Sequence, residues 1–148
     1  MTAATTHANF HAGKTHQGQS AHLRVLLVDD SALTRQFTLS VLNHLAEQHP
    51  MAVDTAECGE DSLDMAMDSQ YDLILMDVEM PGIGGLKACE MLKKRQCDAR
   101  IVMLSGRTSA EAHREGRGAG CDNYLTKPVN EADLRSIVSL IELKKGLA

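Results

Sequence analysis

The stretch LILMDVEMPG, residues 73–82, decides the fold, because a continuous apolar run ends in it at an acidic residue. A short apolar run bounded by turn residues is typical of a strand buried on both faces of a sheet. Pro81 and Gly82 predict a turn shortly after that strand. Asp77 is therefore expected at the carboxyl end of a buried strand, on the edge of the sheet.

The same arrangement of an apolar run followed by a charged residue occurs twice more. Asp29 and Asp30 follow the run at residues 25–28, and Lys127 follows the run at residues 124–126. Ligands of parallel sheets bind beyond the carboxyl ends of the strands, which all lie along one edge. If these runs are parallel strands, the three acids and Lys127 converge on one site.

Strand-like runs alternate with segments of helical period from Leu23 onward, which indicates βα units. This alternation predicts an α/β fold with a doubly wound, five-stranded parallel sheet and helices on both faces. The predicted strands are Arg24–Val28, Ala52–Ala56, Leu73–Met76, Arg100–Leu104 and Asn123–Leu125.

Apolar residues at helical spacing predict the core-facing stripes of the helices between these strands. Ser31 and Asn130 are the expected N-caps of the first and last helices. Glycines at 116, 118 and 120 predict a short, mobile fourth helix from Ser109 to about Arg117. The predicted core residues are Leu33, Phe37, Val41 and Leu45 on the first helix, Leu63, Ala66 and Met67 on the second, Leu86, Cys89 and Leu92 on the third, and Leu134, Ile137, Val138 and Ile141 on the last.

Length and composition favour one domain with short tails. The 148 residues are 43 % hydrophobic, enough for a single core, and we expect a domain at 22–145, a disordered leader at 1–21 and a tail at 146–148. The net charge of −5 offers no general nucleic-acid surface. No apolar run is long enough for a membrane span or a secretory signal, so we expect a cytoplasmic protein without a membrane partner. Cysteines 58, 89, 97 and 121 show no metal-binding spacing and are expected to be reduced.

The predicted cluster of carboxylates requires positive compensation. Two like charges about 4 Å apart repel by about 4 kcal/mol at an effective dielectric constant near 20. Lys127 supplies one positive charge, and a hard divalent cation such as Mg²⁺ would supply the rest. Asp77 is the best candidate for a nucleophile in phosphoryl transfer, and the turn behind it can present the carbonyl of Glu79 to the cation.

The chain resembles the receiver domains (CheY-like) of bacterial two-component response regulators from about residue 23 to 143. The resemblance implies a flavodoxin-like strand order 2-1-3-4-5. The elements that carry it occur in the order typical of the family: VDD at 28–30, LMDVEMPG at 75–82 with Gly85, MLSG at 103–106, and Tyr124 ahead of Lys127 and Pro128.

The resemblance also implies the chemistry of the site. Asp77 would become an aspartyl phosphate on receiving a phosphoryl group from a histidine kinase or a histidine phosphotransfer protein. Asp30, Asp77 and the carbonyl of Glu79 would bind Mg²⁺ directly, and Asp29 would help directly or through water. Lys127 would hold a phosphate oxygen. Such a domain is not an enzyme with a separate substrate, because it catalyses only its own phosphorylation and dephosphorylation.

Further residues are implied to transmit and tune the signal. Ser105 would move to hydrogen-bond the phosphoryl group, and Tyr124 would follow it inward, changing the surface read by an unidentified target protein. Glu79 adds a negative side chain at the mouth of the site, and Arg107 is expected to neutralise it. The resemblance implies that these two side chains tune the lifetime of the phosphate.

Several alternatives stay open at the level of sequence. The receiver is either free-standing or excised from a hybrid histidine kinase or multidomain regulator, and its active form is either monomeric or a phosphorylation-dependent dimer. A haloacid dehalogenase-like phosphatase also uses an aspartyl nucleophile, but its Asp-x-Asp-x-Thr signature is missing after Asp77. A nucleotide-binding module is disfavoured, because Asp29 and Asp30 would repel phosphate. A degenerate receiver that only docks is disfavoured by the complete set of acids and Lys127.

Overall fold

The computed structural model describes residues 22–147. Predictions for residues 1–21 and for residue 148 lie outside the described residues. The strands are β1 (Leu23–Val28), β2 (Met51–Ala56), β3 (Leu73–Asp77), β4 (Arg100–Ser105) and β5 (Asn123–Thr126), and the helices are α1 (Ala32–Leu45), α2 (Gly59–Asp68), α3 (Gly84–Lys94), α4 (Ala110–Gly118) and α5 (Glu131–Lys145).

The strands form one parallel sheet in the order β2-β1-β3-β4-β5, which confirms the predicted topology. Val28 pairs with Met76 across β1 and β3, and Ser105 pairs with Thr126 across β4 and β5. This register brings the ends of the two central strands side by side. The acids that follow β1 and end β3 are neighbours for that reason.

Side chains alternate between the two faces of the sheet and build two separate cores. On β1, Val25 and Leu27 join the core shared with α1 and α5, whereas Leu26 and Val28 join the core shared with α2 and α3. Every strand from β1 to β4 is largely buried on both faces, as a sheet covered by helices requires. The sheet is therefore a rigid base for the loops at its carboxyl edge.

The expected helix caps are present. The hydroxyl of Ser31 accepts a hydrogen bond from the backbone N–H of Thr34 at 3.4 Å. The side-chain oxygen of Asn130 accepts from the N–H groups of Ala132 and Asp133. These caps satisfy backbone donors that a helix N-terminus leaves without intrahelical partners.

The predicted core stripe of α1 is wrong at its first half. Leu33 is 78 % exposed and Phe37 is 48 % exposed, and the buried positions are Thr38, Leu42 and Leu45. A four-residue step advances a helix by about 40° beyond a full turn, so a stripe built from such steps spirals around the axis. Only its later residues can face the sheet.

The predicted stripe of α2 fails in the same way at its end. Leu63 is buried, but Met67 is 71 % exposed. The sulfur of Met67 instead accepts a hydrogen bond from the Arg95 guanidinium at 3.3 Å. By contrast, the stripe predicted for α5 is buried throughout.

Two histidine–glutamate pairs tie the first and last helices together. His44 on α1 contacts Glu131 on α5, and His49 Nδ1 in the following loop lies 2.5 Å from Glu142 Oε1. These contacts hold α5 along the same face of the sheet as α1. In the part of the chain that the structure describes, no helix has both the length and the apolar character to span a membrane.

Candidate functional site

Three carboxylates meet at the carboxyl edge of the sheet. Asp29 and Asp30 follow β1, and Asp77 is the last residue of β3. One oxygen from each of the three carboxylates lies within 4.8 Å of the others. Asp29 and Asp77 are buried, whereas Asp30 is exposed. The structure thus brings together the three acids that the sequence places at strand ends.

Lys127 reaches this cluster from the loop after β5. Its Nζ lies 2.9 Å from Asp77 Oδ1 and 3.5 Å from Asp29 Oδ2. Burial disfavours the charged ammonium, but the hydrogen bond and charge of Asp77 outweigh that effect and raise the pKa of Lys127. The lysine therefore remains a cation and offsets one of the three carboxylate charges.

Asp29 is held by the first turn of α1. Its Oδ1 accepts from the N–H of Ser31 at 2.9 Å, and its Oδ2 accepts from the hydroxyl of Thr34 at 2.7 Å. Both oxygens of Asp29 are thus engaged by the protein. The sequence prediction missed Thr34, because a threonine in the first turn of a helix does not by itself indicate which side chain its hydroxyl contacts.

Two opposing effects act on the charge of the Asp77 carboxylate. Burial raises the pKa of Asp77 to about 6, although the hydrogen bond and charge of Lys127 act in the opposite direction. The N–H of Glu79 also donates to Asp77 Oδ1, at 3.2 Å. Within residues 22–147, the hydrogen bonds and ion pairs of Asp77 all fall on Oδ1. Its second oxygen, Oδ2, is left for a ligand.

The donor set fits Mg²⁺. Clustered carboxylate oxygens are hard ligands, and Mg²⁺ in proteins is bound by one or two carboxylates together with water and phosphate oxygens. Asp30 is solvent-exposed and Asp77 has an oxygen without a protein partner, so these two acids can offer ligand atoms. A divalent cation would also offset the two carboxylate charges that Lys127 leaves uncompensated.

Glycine is required where α3 begins beside Asp77. A Cβ at residue 85 would lie 1.9 Å from the carbonyl oxygen of Asp77, well inside any real contact. The N–H of Gly85 also donates to the carbonyl of Val78 at 3.2 Å. The turn behind the phosphoacceptor candidate can close this tightly only with glycine at that position.

Ser105 ends β4 and is fully buried beside the site. Its hydroxyl donates to the carboxylate of Glu79 and accepts from the N–H of Arg107 at 3.0 Å. The guanidinium of Arg107 pairs with Glu115 Oε2 at 3.3 Å. Arg107 was expected to neutralise Glu79. In the structure, its guanidinium instead pairs with Glu115 of α4.

Tyr124 lies on β5 beneath α4. Its ring packs against His113 with 4.3 Å between ring centroids. The hydroxyl is buried and has no hydrogen-bond partner among residues 22–147. A Cβ at residue 116 would lie 2.7 Å from the ring atom Cδ2, so Gly116 makes room for the ring. The sequence prediction assigned Gly116 only to mobility and did not identify His113.

The profile of the response regulator receiver domain family matches residues 25–139. The chain belongs to this family. That range begins within β1, ends within α5 and includes all three acids and Lys127.

Curated relatives of this chain extend well beyond the region that matches it. The transcriptional regulatory protein ResD of Bacillus subtilis is 30 % identical over 116 residues, which cover 78 % of this chain and 46 % of ResD. The chain spans about half the length of the curated relatives it matches.

Solved structures show the same architecture. The chemotaxis protein CheY4 of Vibrio cholerae superposes with a TM-score of 0.72 at 30 % identity, covering 82 % of this chain and 99 % of CheY4. A chain in the co-crystal structure of the Saccharomyces cerevisiae phosphotransfer protein Ypd1 with the receiver domain of Ssk1 superposes with a TM-score of 0.74 at 22 % identity, covering 84 % of this chain and 91 % of that one. The latter likeness concerns the fold alone.

Proposed function

We propose that this receiver domain accepts a phosphoryl group on Asp77 in a Mg²⁺-dependent reaction and signals through a conformational change read by another protein. The observation that carries the proposal is the environment of Asp77. It is 2 % exposed, lies 2.9 Å from the Lys127 ammonium, and shares a cluster with Asp29 and Asp30. Buried acids without a ligand would be an unfavourable arrangement.

The phosphodonor is a histidine kinase or a histidine phosphotransfer protein. The carboxylate of Asp77 attacks phosphorus, the P–N bond of phosphohistidine breaks, and the departing imidazole nitrogen takes up a proton from solvent. Lys127 remains on the acceptor side and stabilises negative charge on a phosphoryl oxygen. The chain needs no general base, because the nucleophile is a carboxylate that must already be ionised.

The metal would be held mainly by Asp30, Asp77 and the carbonyl of Glu79. Asp29 would act through water, since its two oxygens already accept from Ser31 and Thr34. When bound, Mg²⁺ would neutralise the acids and the phosphoryl oxygens and so favour the ionised form of Asp77.

Ser105 and Tyr124 would carry the change outward. A phosphoryl group on Asp77 adds about two negative charges, which favours the conformation that presents donors to it. The Ser105 hydroxyl would become one of these donors. Because Tyr124 packs on His113 of α4, a movement of β5 or α4 alters the surface formed by α4, β5 and α5.

The docking surface for the phosphodonor would include the exposed apolar residues at the start of α1. This helix begins at Ala32, directly after Asp29 and Asp30. Leu33 and Phe37 therefore lie on the helix that leads out of the site, and both are exposed. Apolar side chains of this kind at a surface favour protein–protein contact. No observation favours a phosphatase acting on separate substrates.

Labelling with acetyl phosphate tests the assignment of Asp77. The wild type should take up an acid-labile phosphoryl group in the presence of Mg²⁺, and Asp77→Asn should abolish the label. Asp64→Asn, a matched change at an exposed position of α2, should retain it. Label that persists in Asp77→Asn would contradict the proposal, and so would a failure of the wild type to be labelled.

A further inference from the structure

The side chain of Glu79 links the phosphoacceptor turn to β4. Glu79 lies two residues after Asp77, and its N–H donates to Asp77 Oδ1. Its carboxylate accepts from the hydroxyl of Ser105, which is fully buried. Glu79 thus contacts both the proposed nucleophile, through its backbone, and the proposed phosphoryl-binding hydroxyl, through its side chain.

The hydroxyl of Ser105 can donate only one hydrogen bond. A serine has a single O–H donor and two acceptor lone pairs. One lone pair of Ser105 accepts from the N–H of Arg107, and the proton points to Glu79. Donation to Glu79 and donation to a phosphoryl oxygen therefore exclude each other.

We propose that the carboxylate of Glu79 is an internal competitor of the phosphoryl group for the Ser105 hydroxyl. It is a positioning residue that acts through Ser105 and holds the unphosphorylated conformation until a stronger acceptor appears. This inference rests on the proposed function. It extends that function by assigning the resting partner of the switch serine to a side chain of this chain.

If Glu79 competes for Ser105, removing Glu79 should improve phosphoryl binding more when the Ser105 hydroxyl is present than when it is absent. Simple charge repulsion predicts the same improvement in both cases. Glu79 is negatively charged, so its removal would aid phosphoryl binding even without any contact with Ser105. The part of the gain that comes from freeing the hydroxyl, however, exists only while the Ser105 hydroxyl is present. The two effects can be separated by removing Glu79 in proteins with and without that hydroxyl.

The first test uses the metal-free protein and measures amide hydrogen exchange at Arg107. In Glu79→Ala the Ser105 hydroxyl loses its acceptor and turns freely, which weakens the bond from the Arg107 N–H. We expect exchange at Arg107 to rise about fivefold. Glu79→Gln keeps an accepting oxygen and should change exchange less.

Glu115→Gln is the control for this measurement. It removes the ion pair of the Arg107 guanidinium without touching Ser105. Exchange at the Arg107 amide should then stay near the wild-type rate. An Arg107 rate that is unchanged in Glu79→Ala would overturn the inference.

The second test titrates the phosphoryl mimic beryllofluoride with Mg²⁺ into the wild type, Glu79→Ala, Ser105→Ala and the double variant. Glu79→Ala should bind about tenfold more tightly than the wild type, because a charge-assisted hydrogen bond no longer has to be broken. In the Ser105→Ala background the same change should improve binding only about twofold, through charge alone.

The outcomes of the titration test the competition by Glu79 and the proposed function separately. Equal gains from Glu79→Ala in both backgrounds would overturn the competition and leave the proposed function standing. A wild type that fails to bind beryllofluoride would overturn the proposed function and this inference with it. Circular dichroism of all four proteins checks that they are folded.

Discussion

Asp77 shows how a single residue combines a requirement for burial with a requirement for charge. Its position at the end of β3 was predictable from the apolar run before it. Its protonation behaviour was not, because desolvation by the surrounding loops raises its pKa to about 6 against the opposing effect of Lys127. A bound cation would favour the ionised form of Asp77 further, because it would offset the cost of burying the carboxylate charge.

The pH dependence of the free energy of unfolding should reveal the cost of burying the charge of Asp77. The pKa of Asp77 is higher in the folded state than the value near 4 of an unfolded chain, so the folded state binds more protons between these two values. The contribution of Asp77 is therefore most favourable below about pH 4 and is lost as the pH rises through about 6. Asp77→Asn should be more stable than the wild type by about 3 kcal/mol at pH 7.

Chemical denaturation of both proteins from pH 4 to pH 8 measures this difference. It should vanish near pH 4, where the wild-type carboxyl is protonated. Addition of Mg²⁺ at pH 7 should stabilise the wild type and have little effect on Asp77→Asn. A stability difference that does not vary with pH would count against a raised pKa for Asp77.

For the glycines of the fourth helix, the structure gives a different explanation from the one that the sequence suggested. Its glycines predict weak helix formation, and α4 is indeed short. Yet two of them have different surroundings. Gly116 faces the ring of Tyr124, whereas a Cβ at Gly118 would meet nothing within 4 Å. One glycine is needed for packing and the other is not.

Matched alanine substitutions on α4 should therefore have opposite effects. Gly118→Ala should stabilise the protein by up to about 1 kcal/mol, because alanine favours the helix. Gly116→Ala should destabilise it by about 1–3 kcal/mol, because the added methyl group meets the Tyr124 ring. Thermal unfolding of the two variants measures both effects, and a stabilising Gly116→Ala would show that the ring yields without cost.

The strands were predictable within one residue at their ends, because their apolar runs stop at charged or turn-forming residues. The helical faces were less predictable. On α1, apolar residues occur on two overlapping stripes, and the choice between them is made by contacts with residues outside the helix. The hydroxyl of Thr34 bonds to Asp29, and Leu42 packs in the core shared with α5. A local period cannot report such contacts.

At the scale of the whole molecule, exposed apolar residues occur on the first and the last of the described helices. Leu33 and Phe37 lie on α1 beside the site, and Leu140 and Leu143 lie on α5. The first pair is on the helix that leaves the acidic cluster, and the second is on a helix of the proposed output surface. The proposed function thus assigns signal input and signal output to different surfaces.

Phe37→Ser should separate docking from chemistry. Because Phe37 contributes no group to the acidic cluster, uptake of phosphate from acetyl phosphate should match the wild type. In the native cell, the fraction of protein phosphorylated on Asp77 should fall at least about tenfold, since an apolar contact with the phosphodonor is lost. Gel electrophoresis that retards phosphorylated protein measures this fraction.

Leu143→Ser provides the control, since it changes another large exposed apolar residue, on α5. It should leave phosphorylation in the cell near the wild-type level. Equal losses in both variants would mean that the apolar start of α1 has no special part in receiving the phosphoryl group.

The assembly of the site from both ends of the domain has a consequence during synthesis. Asp29 follows the first strand, whereas Lys127 follows the last one, at the far edge of the sheet. A nascent polypeptide that has not yet emerged beyond β5 possesses the acids but lacks the ammonium group that stabilises them. Under the proposed function, efficient phosphoryl transfer to Asp77 therefore has to wait until translation has passed Lys127.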